Sequence, residues 1–314
     1  MKAVVLGYHT MGCLGFDALL RHGFEVAAVL THRDDPREEV WWDSLAARAE
    51  ARSVPVHYPQ DPKSPEFHEL IASYAPDFLF SFYYRYMIPP AVLELAARGA
   101  LNLHGSLLPR YRGRAPVNWV LVEGESETGV SLHYMVAKPD AGDLVDQEAV
   151  AIDFADTAFT LYGKLEEAAR RLLDRALPAL AAGTATPKPL DLSQGSYRGG
   201  RKPADGNIDW NGSARRIYDL VRGVTHPYPG AFTTLRGRKL LVWWALPLAG
   251  LEGIGSQTAA EPSTVTAVDR EGITVAAGEG SVQLITLQLE GQPELPACSL
   301  ALAAGIAPGE RLGS

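Results

Sequence analysis

The sequence is short of several things, and each shortage removes a class of protein. Its 314 residues hold two cysteines, Cys13 and Cys298. A pair so widely spaced gives neither a disulfide framework nor a metal-ligand motif, so no metal site is expected and both are read as reduced thiols. No apolar run exceeds strand length, so no segment is expected to span or anchor in a membrane. The amino-terminal MKAVVLGYHTMGCLG has one lysine and an apolar run too short for a secretory leader, which makes the expected location cytoplasmic. Basic residues are outnumbered, 29 against 37 acidic, for a formal charge of −8. That sign gives no general attraction to a polynucleotide, whose binding needs a basic face. Internal repeats, heptads and low-complexity tracts are missing as well.

What is present reads as alternating strands and helices. Lys2–Leu6 is a short apolar strand, and Gly7–Gly15 a loop entering a helix that ends near Gly23. Strands follow at Glu25–Thr31, Phe78–Phe82 and Ala100–His104, with helices around Ser44–Arg52, Pro65–Tyr74 and Pro89–Ala97. Such alternation implies right-handed crossovers and a Rossmann-like, mostly parallel sheet with helices on both faces. Thr128–Met135 and Leu144–Ile152 add two strands. A long helix from Thr157 to Ala182 aligns Leu161, Leu165, Leu172, Ala176 and Leu180 on one face, and Gly183 is placed to end it. Composition then shifts toward Pro, Gly, Ser and Thr, followed by one helical stretch and several short strands broken by glycine and proline. The expected organisation is an α/β catalytic domain over residues 1–183, a linker over 184–203, and a small OB-like β-barrel domain over 204–314.

Glycine-rich GYHTMGCLG follows a strand and opens a helix, but its spacing matches neither G-x-G-x-x-G nor a P-loop. It is read as an ordinary strand-to-helix turn. Trp41-Trp42, in a polar loop, is left open between covering the site and facing a partner.

Chemistry concentrates in Leu101–Gly142. Asn102 and His104 stand two residues apart at a strand end, so the two-residue period turns both to one face and Leu101 and Leu103 to the other. In open α/β sheets, ligands bind at the carboxyl ends of the strands. An amide can donate to a developing oxyanion and an imidazole can move a proton, which suits acyl-type transfer. Asp140, in the PDAGD turn, is a candidate to return to His104 and stabilise its charged form. Arg110, Arg112 and Arg114 give the intervening loop a positive centre suited to an anionic group such as a diphosphate.

The run N-L-H-G-S-L-L-P-R-Y-R-G-R-A-P, then T-G-V, then D-A-G-D, resembles the 10-formyltetrahydrofolate-dependent formyltransferases. Within them it is most similar to the formyltransferase half of the bifunctional enzyme that modifies UDP-4-amino-4-deoxy-L-arabinose for lipid A, an activity tied to polymyxin resistance. Tyr8-His9, Met11–Gly15, Phe80–Arg85, Asn118–Val122 and Pro229–Phe232 extend the resemblance over about residues 1–245. It implies 10-formyltetrahydrofolate as co-substrate and the 4-amino group of a UDP-linked sugar as acceptor. It also implies roles: Asn102 holds the oxyanion, His104 transfers the proton, Asp140 orients His104. Folate contacts fall on Tyr86, Met87, Ile88, Arg114, Val136, Ala137, Lys138, Pro139 and Asp140. Tyr86, Met87 and Ala137–Pro139 depart from the sugar enzyme's pattern, and nothing matching that enzyme's oxidative half is seen, so formyl transfer alone is expected.

Three alternatives stay open at this point. Formylation of methionyl-tRNA needs a basic surface, whereas residues 204–314 carry 8 Lys/Arg against 11 Asp/Glu. A dTDP-linked amino sugar differs from a UDP sugar by one methyl on the base. A folate- or nucleotide-binding module without activity is the non-enzyme reading.

Overall fold

The computed structural model describes residues 1–36, 38–248 and 260–313. It divides into two compact units, the first comprising 1–116, 127–151 and 162–199 and the second 117–126, 152–161 and 200–314.

In chain order to residue 182 the elements are β1 (Lys2–Gly7), α1 (His9–Arg21), β2 (Glu25–Leu30), α2 (Leu45–Glu50), β3 (Val56–His57), α3 (Pro65–Tyr74), β4 (Phe78–Phe82), α4 (Pro90–Leu93), β5 (Ala100–His104), β6 (Arg112–Gly113), α5 (Pro116–Val122), β7 (Glu127–Tyr134), β8 (Leu144–Ala151) and α6 (Ala158–Ala182). Seven strands form one sheet in the order β3-β2-β1-β4-β5-β7-β8. Pairing is parallel as far as β5 and antiparallel from β5 to β7 and β8. The mostly parallel sheet expected from the alternation is therefore present.

Local chemistry sets the helix ends. Ser44 caps α2 and Ser64 caps α3, each hydroxyl accepting a backbone N–H three residues on at 3.2 Å. Pro65 occupies the first turn of α3, where its missing N–H costs nothing. The apolar stripe of α6 is buried as its spacing predicts, with Leu161, Leu165, Leu172, Ala176 and Leu180 all at 4% exposure or less. Gly183, at φ 71, follows its last turn. Two expectations change. The helix over Pro89–Ala97 is a single turn, and α1 starts at His9, so Gly12 and Gly15 lie inside a helix rather than in a loop. They are there for close approach: a Cβ on Gly15 would stand 2.4 Å from the Phe82 ring.

Residues 184–199 do not leave the first unit. Lys188 bridges Leu144, and β9 (Tyr197–Arg198) pairs in parallel with β6. Ser196 fastens this strap three ways: its hydroxyl accepts from Tyr111 N at 2.9 Å, its carbonyl from Arg112 N at 3.0 Å, and its N–H donates to Pro109 O.

The second unit carries α7 (Ala214–Val224), β10 (Ala231–Leu235), β11 (Arg238–Pro247), β12 (Val265–Asp269), β13 (Gly272–Ala276), β14 (Ser281–Leu289), β15 (Glu294–Pro296) and α8 (Ala297–Ala304). Its six strands pair antiparallel in the order β10-β11-β14-β13-β12, with β15 beside β14. Ile217, Val221, Val242, Val275, Leu284 and Leu300 close one core between α7, α8 and this sheet. No helix among the described residues is long and apolar enough to cross a membrane.

Candidate functional site

The carboxyl end of β5 lies beside that of parallel β4, which leads into Tyr86–Ile88, whereas antiparallel β7 leads into Val136–Asp140 at the amino end of β5, where Met135 N donates to Ala100 O. The Val136–Asp140 segment then folds back far enough to bring Asp140 to Asn102 and His104. Asp140 closes the group. Its Oδ1 lies 3.3 Å from Asn102 Nδ2 and 3.6 Å from His104 Nδ1, so the three residues singled out in the sequence meet around one carboxylate oxygen. Oδ2 accepts the backbone N–H of Gly113 at 2.8 Å. Asp140 adopts φ 48, a left-handed conformation that aspartate tolerates better than most residues. Two residues on, a Cβ at position 142 would stand 2.0 Å from Tyr134 O, which restricts that position of the D-A-G turn to glycine.

Burial by itself would push the Asp140 carboxyl up. The potential of His104 foremost, with the adjacent His133 ring and the Gly113 amide, outweighs it and holds the group well below the usual carboxylate range. The cluster is thus organised around a persistent anion.

His104 is 6% exposed, and its Nε2 is 2.8 Å from the carbonyl oxygen of Tyr111. A carbonyl can only accept, so Nε2 carries the hydrogen and Nδ1 is the ring atom that faces Asp140. The loop supplying Tyr111 is held by buried hydroxyls. Ser106 Oγ donates to Arg110 O at 2.7 Å, Ser131 Oγ donates to Ser106 O at 2.6 Å, and the Leu108 amide donates to Ser131 Oγ at 3.0 Å.

One member of the cluster escaped the sequence reading. His133 pairs with Asn102 in the β5–β7 register, is 1% exposed, and places Nε2 at 3.2 Å from Asn102 Nδ2 and 3.4 Å from Asp140 Oδ1. Its Nδ1 donates to Tyr134 O at 2.8 Å. The alternation Ser131-Leu132-His133 was available as a signal, but only the antiparallel register turns it into a contact with Asn102.

Of the residues expected at a folate, Tyr86, Met87 and Val136 are exposed apolar side chains at 40%, 54% and 44%, and Ala137 and Lys138 are also open. Pro139 is half-buried. Ile88 differs: its side chain belongs to the core with Val92, Leu93 and Leu79. Arg114 Nη2 donates to Arg85 O at 3.1 Å, tying the arginine loop to the segment that opens Tyr86–Ile88.

The glycine turn at the end of β1 is plugged. Leu45 Cδ2 occupies the space where Cβ atoms on Gly7 and Gly12 would stand, at 2.7 and 3.0 Å, so this cradle holds a leucine rather than a phosphate. Trp41 and Trp42 pack on His9, the latter stacked at 4.5 Å, and Arg85 lies over Tyr8 while chelating Glu38 at 3.0 and 2.8 Å. No group of three or more His, Cys, Asp or Glu suited to a metal ion occurs among the described residues.

A mostly parallel α/β sheet whose central strand end gathers an amide, two imidazoles and a carboxylate, followed by an antiparallel β unit, defines a two-part transferase architecture. The chain belongs to the formyl transferase family: that family's model matches residues 1–177, and the model for the formyl transferase C-terminal domain matches residues 201–304. Solved structures share the fold at low identity. HypX from Aquifex aeolicus in complex with tetrahydrofolic acid is 20% identical with a TM-score of 0.59, the match covering 96% of this chain and 47% of that one. The chain therefore spans about half the length of HypX. An N-formyltransferase from Helicobacter canadensis in complex with folinic acid and dTDP-3-aminofucose is 18% identical, TM-score 0.66, covering 90% and 99% of the two chains. WlaRD, a sugar 3N-formyltransferase in the presence of dTDP and 5-N-formyl-THF, is 17% identical, TM-score 0.68, covering 93% and 99%.

Proposed function

We propose that this protein transfers the formyl group of 10-formyltetrahydrofolate to the amine of a nucleotide-linked amino sugar, the particular acceptor being UDP-4-amino-4-deoxy-L-arabinose. The observation that carries the reading is the convergence of Asn102, His104 and Asp140 on one carboxylate oxygen at the end of β5. Family membership agrees with it, as do the sugar substrates of two structural relatives.

The folate supplies an activated formyl group on nitrogen. Exposed Tyr86, Met87 and Val136, on the segments that follow β4 and β7, are assigned to the flat heteroaromatic ring, together with Ile88, Arg114, Ala137, Lys138 and Pro139. Addition of a neutral amine to a formyl carbon places negative charge on the formyl oxygen and positive charge on the new nitrogen. Asn102 Nδ2 donates to that oxygen. Both of its N–H bonds already have acceptors, His133 Nε2 and Asp140 Oδ1, so one of these is exchanged as charge develops. His104, held through Nε2 by Tyr111 O, uses Nδ1 to take the amine proton and return it to the departing nitrogen, with the Asp140 carboxylate favouring the charged ring between the two transfers.

A formyl-transfer assay tests this. UDP-4-amino-4-deoxy-L-arabinose, a dTDP-4-amino sugar and methionyl-tRNA are offered in parallel, and tetrahydrofolate release is followed. Turnover on the UDP sugar alone is expected. Turnover only on the dTDP sugar moves the acceptor, and turnover only on methionyl-tRNA removes the sugar reading. Silence on all three would refute formyl transfer to these amines.

A further inference from the structure

Among the described residues two arginines are buried, and they are treated in opposite ways. Arg222, 1% exposed, donates from Nε to Asp219 at 2.7 Å and from Nη1 to the carbonyls of Asp153 and Asp156. Arg112 is 8% exposed, its Nε has no hydrogen-bond partner, and among the described residues its guanidinium enters no ion pair. Burying a cation costs several kcal/mol unless an opposite charge or hydrogen bonds compensate it, on the order of the whole stability margin of a domain. A buried guanidinium nitrogen without a partner calls for an explanation, and a bound anion is one.

Its placement says which anion. The carbonyl just before it, Tyr111 O, holds His104 Nε2 at 2.8 Å, and the amide just after it, Gly113 N, holds Asp140 Oδ2 at 2.8 Å. Arg112 is therefore pinned by its backbone between two members of the candidate catalytic cluster, and Ser196 O fixes its own N–H at 3.0 Å. Within the loop itself the charge is of one sign. Arg110 and Arg198 lie 5.6 and 5.9 Å from the centre of the Tyr111 ring, and residues 105–118 contain no acidic side chain.

We propose that Arg112 binds the diphosphate of the nucleotide-linked acceptor and supplies its counter-charge. The inference rests on the amino-sugar reading and deepens it. In a nucleotide-linked 4-amino sugar the diphosphate is one pyranose ring away from the amine, which suits an arginine one residue from each catalytic anchor. A folate carries its carboxylates beyond the whole aminobenzoyl group, much farther from the formyl carbon.

Binding without turnover tests this on the full chain, using UDP, dTDP and 5-formyltetrahydrofolate as probes for the wild type, Arg112→Met and Arg112→Lys. A charge-assisted hydrogen bond contributes about 1.5–3 kcal/mol, so Arg112→Met is expected to weaken nucleoside diphosphate binding roughly 10- to 100-fold. Folate affinity should stay the same. The melting temperature of the unbound Met variant should equal or exceed that of the wild type, because an uncompensated charge has left the interior. Unchanged diphosphate affinity in Arg112→Met, loss of folate affinity instead, or no diphosphate binding by the wild type overturns the proposal. A melting temperature that falls while diphosphate binding persists overturns it too, by making Arg112 structural. Should the Met variant fail to fold, Arg112→Lys replaces it: the ammonium lacks the planar fork, so weaker binding is expected and undiminished binding refutes the assignment. If every amino sugar fails in the transfer assay while the Arg112-dependent diphosphate response remains, the acceptor reading falls and the diphosphate site stands.

Discussion

Asn102 and His133 face each other across the antiparallel β5–β7 pair, with Asn102 Nδ2 at 3.2 Å from His133 Nε2. Because His133 Nδ1 donates to Tyr134 O, Nε2 is left to accept, and the amide is oriented with its nitrogen toward Asp140 rather than its oxygen. His133 thus determines which way round Asn102 sits.

That relationship separates two substitutions. Asn102→Ala removes the proposed oxyanion donor, and turnover is expected to fall about 10²–10³-fold. His133→Phe keeps Asn102 but removes the acceptor that orients it, so a smaller loss in kcat is expected with little change in KM for the acceptor. Steady-state kinetics of both variants provide the check. Near-full activity in Asn102→Ala removes it from the mechanism, and a His133→Phe variant that loses only acceptor affinity makes His133 a binding residue instead.

Acid sensitivity should trace in part to His9. Burial among Trp41, Trp42 and Tyr162, reinforced by Arg85, pushes its pKa down to about 3 from 6.5. In the unfolded chain the ring takes up a proton near pH 6.5, while in the folded chain it stays neutral. The folded state is therefore favoured at neutral pH, and this contribution is lost progressively as pH falls from 6.5 toward 3. By linkage the loss at pH 5 is about 2 kcal/mol. Urea unfolding of wild type and His9→Phe at pH 7 and pH 5 should show the wild type losing about that much more. Parallel losses in both proteins would show that His9 does not titrate in this way.

Helix α1 approaches the sheet as closely as it does because residue 15 has no side chain. A methyl there would meet three carbons of the fully buried Phe82 ring at 2.4–2.5 Å. Phe82 is packed face to face with Phe80 at 5.8 Å and cannot swing aside freely. Gly15→Ala is expected to cost about 1–3 kcal/mol, the usual penalty for overpacking, and Gly15→Ala with Phe82→Leu to recover part of it. A double variant no more stable than Gly15→Ala alone would place the strain elsewhere.

The sequence made the sheet legible because apolar strands and amphipathic helices alternate at their own periods, and it made Asn102 and His104 legible because both lie on one strand. Asp140 came from a turn motif and a family resemblance. His133 did not emerge, and Arg112 emerged only as one of three loop arginines suited to a diphosphate, for the same physical reason. Their significance depends on what lies opposite them: a cross-strand register for His133, and the lack, among the described residues, of a carboxylate in ion-pair contact with Arg112. The start of α1 was misplaced because Gly12 and Gly15 look like turn residues, whereas their small size serves packing against Leu45 and Phe82. The strap over 184–199 has the composition of a linker, and its pairing with Arg112–Gly113 depends on backbone hydrogen bonds that no side-chain pattern encodes.

The second unit has its own internal electrostatic dependency. Asp219, 3% exposed, receives Arg222 Nε at 2.7 Å and Arg215 Nε at 2.8 Å, the two arginines lying one turn either side of it on α7. Arg215 is half-exposed and would rehydrate if the carboxylate were removed, but Arg222 is enclosed and would not. Its two carbonyl contacts satisfy hydrogen bonds without neutralising charge. Asp219→Ala should therefore destabilise the protein by about 3–5 kcal/mol, the cost of an abandoned buried charge, and Asp219→Ala combined with Arg222→Met should regain much of that loss. Chemical denaturation of the single and double variants measures both. A double variant as unstable as the single one would mean that Asp219 contributes through packing rather than through the charge of Arg222.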